Sequence, residues 1–247
     1  MRFLMARFHI HGVQCFSILL CCTVPAVFVG CTATPHTNQS HSLDALSNTE
    51  KQTLIAELKE ITRTDQQYRR SVSWGTTDEA ELTRLTSLDD DAQMQEMIRR
   101  HREGVTLSKS EEQHLMSLQT AIDRKNFARI VEITREFGYP HAARLGEQAP
   151  DITAVLIHAQ IDDFTRERGL FHQEVLAGRM PAKQYAMMVD RALQHDGKAQ
   201  LYGTAIPFDP AKGGIQPPPI ESIEATNTAR AEIGLPALTE YTIIAKQ

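Results

Sequence analysis

His158 and Asp162 stand four residues apart in a stretch that carries Ile152, Val155, Leu156 and Ala159 at helical intervals. On one helix that spacing puts both side chains on the same face. A carboxylate beside an imidazole orients the ring and strengthens its hold on a proton, which is what a general acid or base needs. The same pair offers two metal ligands, with His172 or His195 as a third. Nothing here matches the density of an H-E-x-x-H zinc motif, and no metal or other cofactor is expected. A plainer explanation also fits: a helix pair that hydrogen-bonds at the edge of the core.

Asp190-Arg191 is a second candidate. Helical spacing sets Asp190 away from Tyr185 and Val189, so periodicity places it in solvent. Alternatively this side lines a cleft in which Arg191 clamps an anion. In Gln200-Leu201-Tyr202-Gly203-Thr204 the alternation is that of a strand, with Gln200, Tyr202 and Thr204 on one face. An amide, a phenol and a hydroxyl there suit a polar ligand. A polar edge strand with Gly203 at a bulge explains them equally well. Asp65 and Arg69 form an i,i+4 pair of the kind usually found as a surface ion pair. Trp74, the one Trp of the chain, reads as a core plug. No Walker loop, G-x-G-x-x-G or G-x-S-x-G elbow occurs in the chain.

Helices must position these groups. Capping residues at 47–50 precede Leu54, Leu58 and Ile61, so a helix starts there and runs to about residue 70, where 73–78 break it. Residues 79–100 are helical with an interruption near Asp89. Segments 108–123 and 126–136 follow, the latter stopped by Gly138 and Pro140. Residues 150–168 form the helix that carries His158. Pro181 suits the first turn of the next, which ends at Gly197. The 200–204 strand pairs with 213–216 as a hairpin, and a last helix spans 221–232. The class is mainly α: a single helical domain with a small β-hairpin near the C-terminus.

The first thirty residues contain Arg2 and Arg7, no acid, and an apolar run from about Val13 to Gly30. A basic start, apolar middle and small-residue exit make a secretory signal. Cys31 follows Gly30 and precedes a polar stretch, the pattern of a lipoprotein signal in which the cysteine is lipidated. A short membrane anchor and a soluble form cleaved after Ala33 are the alternatives. The other cysteines, Cys15, Cys21 and Cys22, lie within the removed segment, so the mature domain has neither thiol chemistry nor disulfides. Removing residues 1–30 lowers Lys+Arg from 26 to 24 against 31 Asp+Glu, a net charge of −7. That acidity argues against nucleic acid as a partner. The expected organisation is a signal at 1–30, a flexible tether at 31–42 and one domain at 43–247.

In order along the chain, these motifs resemble an uncharacterised bacterial domain family of unknown function. Its pattern is matched by D-Q-x-x-R at Asp65–Arg69, an acid and Asn at Asp123 and Asn126, and G-x-P at Gly138 and Pro140. H-A-x-x-D at His158–Asp162, D-R at Asp190-Arg191, Q-x-Y-G-T at Gln200–Thr204 and R-x-x-x-G-L at Arg230–Leu235 complete it. Ile157 and Ala205 depart from the pattern, which has Gln at both. The resemblance implies that His158, Asp162, Asp190, Arg191, Gln200 and Tyr202 converge in space.

The chain therefore reads as an exported, lipid-anchored cell-envelope protein, held by lipid on Cys31 at the periplasmic face of the outer membrane. Its role is to bind a polar ligand or an envelope protein, with Arg69, Asp190, Arg191, Gln200, Tyr202 and Thr204 lining the site. The alternative is a hydrolase-like enzyme with His158 and Asp162 as the acid/base pair.

Overall fold

The computed structural model describes residues 42–205, 208–209, 214–215 and 217–239. Residues 1–30, Cys31 and all of the expected tether except Ser42 lie outside them.

Ser42 opens the domain by capping a single 3-10 turn, Leu43–Ala45. Ser47 and Glu50 then form a reciprocal capping box, and helix α1 runs Asn48–Asp65. It stops five residues earlier than its apolar stripe suggests, and a separate short helix, α2, spans Arg69–Trp74. Gln119 explains the break. Its fully buried carboxamide accepts the Tyr68 N–H (2.9 Å) and donates to the Thr64 carbonyl (3.3 Å). Backbone groups freed at the turn are thus satisfied from another helix.

Helices α3 (Glu79–Thr86) and α4 (Asp90–Glu103) are capped by Asp78 and Asp89. Under α2 and α3 lies a small core of Trp74, Leu82 and Leu85, so Trp74 is the plug its apolar surface calls for. Arg100 of α4 closes it by donating to the Trp74 carbonyl and pairing with Glu81. Gly75 ends α2 at φ +63°, and a Cβ there would stand 2.5 Å from the Val105 carbonyl oxygen. Left-handed backbone alone costs a side chain about 1–3 kcal/mol. Gly75→Ala is therefore expected to lower stability by at least that much in urea unfolding, with Gly104→Ala, whose added Cβ meets nothing, losing less.

Helix α5 is continuous over Lys109–Phe137, where two helices were expected. At 29 residues it is about 43 Å long. Asp123 and Asn126, which look like a gap in the apolar pattern, do not cap anything. They point into the protein and bond to α1 and α2. Arg124 and Lys125 between them are good helix formers, so nothing breaks the helix.

The stretch 150–168 divides instead of forming one helix. Helix α6 (Ala142–Leu145) is a single turn, α7 spans Thr153–His158, and α8 runs Ile161–Leu176. Between α7 and α8, Ala159 is extended at ψ 144°. Helix α9 (Ala182–His195) follows Pro181, and α10 (Ile223–Glu232) is capped by Ser222. The main core joins α1, α5, α7, α8 and α9, with α8 laid along α9. At its centre Phe127, Phe164 and Tyr139 surround Phe171 with ring centroids 5.8–6.4 Å apart.

The expected hairpin between 200–204 and 213–216 does not form. Gln200 makes an isolated parallel bridge with Ile220. Strands β1 (Phe208–Asp209) and β2 (Gly214–Ile215) form a two-residue antiparallel ladder of their own. Residues 213 and 216 lie outside the described ones. The domain is mainly helical, and among the described residues no helix is long and apolar enough to cross a membrane.

Candidate functional site

The turn between α1 and α2 carries Asp65 and Arg69 into the interior. Asp65 is 1% exposed, so this pair is not the surface ion pair that its spacing suggests. Arg69 Nη1 lies 3.5 Å from Asp65 Oδ1 and donates to the Asp65 carbonyl at 2.6 Å. The same guanidinium grips Asp123 of α5 with two parallel bonds, 2.8 Å to Oδ1 and 2.6 Å to Oδ2. Such fork-to-fork pairing holds position as well as charge. Gln119 adds a bond to Asp123 Oδ1 at 2.9 Å.

His158, the last residue of α7, completes the group. Its Nδ1 lies 3.0 and 2.9 Å from the two carboxylate oxygens of Asp65. An ionised carboxylate only accepts hydrogen bonds, so Nδ1 carries the proton. In the neutral ring that leaves Nε2 as a bare acceptor, and it has no hydrogen-bond partner among the described residues. The side chain is 28% exposed, against 1% for Asp65. A buried acid thus orients a half-exposed base.

The acid that meets His158 is not Asp162. The extended Ala159 ends α7 immediately after His158, and Asp162 sits exposed in the first turn of α8. The two do not share a helix face. Arg191 of α9 fills the break by donating from Nη1 to the Ala159 carbonyl at 2.8 Å. Burial pulls the Arg191 pKa below its usual value, the nearby Arg69 charge pulls it further, and Asp123 partly opposes them. Arg191 forms no salt bridge with an acid among the described residues.

Asp190, the preceding residue, bonds a different segment. It is fully buried, contrary to the periodicity, because its carboxylate organises the chain after α9. Oδ1 accepts the N–H groups of Leu201 (2.8 Å) and Tyr202 (2.9 Å); Oδ2 accepts the Thr204 N–H (2.8 Å) and hydroxyl (2.7 Å). Gln200 ties off the same loop by bonding the Ala205 carbonyl and N–H at 2.7 and 3.0 Å. Arg230 of α10 donates to the Tyr202 carbonyl at 2.6 Å. Tyr202 is buried edge-on against Tyr185, whose ring stacks on His172; burial above all, then Tyr185, pushes its phenol up to about 12.

The named residues therefore form two groups that meet at the adjacent Asp190 and Arg191 of α9. His158, Asp65, Arg69, Asp123 and Arg191 make one. Asp190, Gln200, Tyr202, Thr204 and Arg230 make the other, which holds a loop through the side chains of Asp190, Gln200, Thr204 and Arg230 and the backbone of Tyr202. Gln119 was missed as a candidate, although a signal was there. Gln119, Asp123 and Asn126 continue the apolar stripe of Ile130 at helical intervals. Polar residues on a buried stripe must be partnered, and all three are. Among the described residues no three His, Cys, Asp or Glu side chains are grouped to hold a metal ion.

Residues 81–247, more than half of the chain, match a sequence family described as a family of unknown function, DUF6624. The match takes in Asp123, His158 and Arg191 and begins after Asp65 and Arg69. No curated protein and no solved structure matches the chain.

Proposed function

From the premise that the chain belongs to DUF6624, a family of unknown function, we propose that it is an exported, lipid-anchored envelope protein whose helical domain holds a polar ligand against His158. One observation carries the site. A buried carboxylate, Asp65, holds His158 through Nδ1, and the Nε2 atom is left unpartnered at a half-exposed ring. Nε2 is not buried, so it faces solvent, where a ligand can reach it. Arg69, itself held by Asp123, keeps Asp65 in place, and Arg191 closes one side.

Anchoring rests on the sequence: a basic, acid-free start, an apolar run and Gly30-Cys31. We read residues 1–30 as the signal, 31–42 as the tether and 43–247 as the domain. The motifs divide by role in this reading. D-Q-x-x-R and the His of H-A-x-x-D furnish the site, while D-R and Q-x-Y-G-T hold Arg191 in register through the loop that Asp190 organises.

The dyad also favours a second reading, an enzyme in which His158 passes a proton at Nε2 and Asp65, in place of Asp162, is its positioning residue. Two measurements test the proposal. Intact-mass analysis of the mature protein is expected to find Cys31 as the acylated first residue; Met1 retained on cytosolic material would refute export. A thermal-shift screen of carboxylates, phosphates and sugars is expected to yield ligands that stabilise the natural protein and not His158→Ala. Stabilisation that survives His158→Ala would move the site elsewhere. Turnover lost in His158→Ala with affinity kept would favour the enzyme.

A further inference from the structure

We infer that the group bound at the His158 site is an oxyanion, a carboxylate or phosphate, and that Arg191 is its fixed countercharge. The inference rests on the site proposed above and adds the chemical class of its ligand.

Most other buried or half-buried arginines in the domain spend their charge on an acid; Arg70, whose buried Nε has no partner among the described residues, and Arg230 are exceptions. Arg69 is forked to Asp123, Arg179 to Glu174 and Arg129 to Glu57; Arg100 pairs with Glu81 and Arg144 with Asp44. Arg191 does not. Its one hydrogen bond among the described residues is to the Ala159 carbonyl, through Nη1, so Nε and Nη2 are left over. Neither atom is buried without a partner, so both face solvent and are open to an anion.

The neighbouring acids do not take these donors. Asp123 has both oxygens engaged by Arg69 and one also by Gln119. Asp65 is taken by His158 and by Gln66 Nε2 at 2.6 Å. Arg69 therefore reaches Arg191 as a further positive charge that its own acids have already answered, and it disfavours the Arg191 cation. Arg230 shows the contrast. It too lacks an acid in direct contact and has one buried acid nearby, Asp190, as Arg191 has Asp123, but it gives two bonds, to the carbonyls of Tyr202 and Pro236, where Arg191 gives one.

An oxyanion between Arg191 and His158 would use the donors that Arg191 leaves free. It would take Nε–H and Nη2–H from Arg191, in the planar geometry that guanidinium offers to carboxylates and phosphates. A protonated oxygen of the ligand, or a water it orders, would donate to His158 Nε2.

The test uses the full-length protein in detergent, titrated calorimetrically with inorganic phosphate and with succinate at matched ionic strength, sodium chloride serving as control. Binding of at least one is expected, weakened tenfold or more in Arg191→Gln and less in Arg191→Lys, which keeps the charge and loses the fork. Arg166→Gln, at an exposed position, is expected to bind as the natural protein does. Circular dichroism of each variant checks folding, and Arg191→Lys stands in if Arg191→Gln does not fold. If neither anion binds, or if both arginine variants bind normally, the inference is overturned. If Arg191→Gln loses binding while His158→Ala keeps it, the anion site stands and the reading of His158 falls. Stabilisation only by neutral ligands that need His158 would leave that reading and overturn this one.

Discussion

Asp190→Ala is expected to lower the melting temperature of the domain by roughly 10 °C or more. The residue is fully buried and its two oxygens take four hydrogen bonds, three from backbone N–H groups and one from the Thr204 hydroxyl. Truncation leaves four donors without their acceptor, the Tyr202 N–H buried and the other three partly buried, and a stranded buried donor costs about 1–3 kcal/mol before the loop relaxes. Relaxation is limited, because Gln200 and Arg230 hold the same loop at other points. A net loss of about 3–5 kcal/mol follows. Asp190→Asn is expected to recover less than half, since its amide nitrogen must face one of the donors. Thermal unfolding followed by circular dichroism measures both. A midpoint for Asp190→Ala within a degree or two of the natural protein would mean that the loop does not depend on the carboxylate.

Arg69→Ala is the second large loss, about 3 kcal/mol. It leaves Asp65 and Asp123, 1% and 3% exposed, as two carboxylates without their shared cation. The cost comes from the stranded charges more than from the missing bonds, and that has a checkable consequence. Replacing both members of the fork with apolar residues of similar size, Arg69→Met with Asp123→Leu, is expected to be less damaging than Arg69→Ala alone. Urea unfolding of the single and double variants decides it. A double variant as unstable as the sum of its parts would show that the pair acts through its bonds and not through burial of unpaired charge. His158 remains bonded to Asp65 in the double variant, so the two halves of the cluster can be separated.

Much of the helical layout was legible in the chain. The capping box at Ser47 and Glu50, the stop at Gly138 and the start after Pro181 are local signals: side chains that bond their own backbone, a glycine at positive φ and a proline ring preset for a helix start. The errors have one origin. At Gln66–Tyr68, at Asp123–Asn126 and at Ala159, the polar groups find their partners in a distant segment. Gln119 opens the first, the α1–α2 turn uses the second, and Arg191 takes the carbonyl freed at the third. Spacing along the chain cannot report such partners, and so His158 was paired with Asp162, four residues away, instead of Asp65, 93 residues away. Periodicity failed at Asp190 for a related reason. It scores a carboxylate as solvent-facing and has no means of counting the backbone donors that a later loop will bring to it. The order of the motifs grouped the polar residues, but only contacts between segments divide that group into a cluster around His158 and a loop held by Asp190.

The two-bond proton–nitrogen correlation spectrum of the His158 ring tests the central claim most directly. With Asp65 as its acceptor, the neutral ring is predicted to carry its proton on Nδ1, and Asp65→Asn is predicted to abolish that preference. A ring protonated on Nε2 in the natural protein, or a tautomer unchanged by Asp65→Asn, would contradict the arrangement on which the proposed site depends.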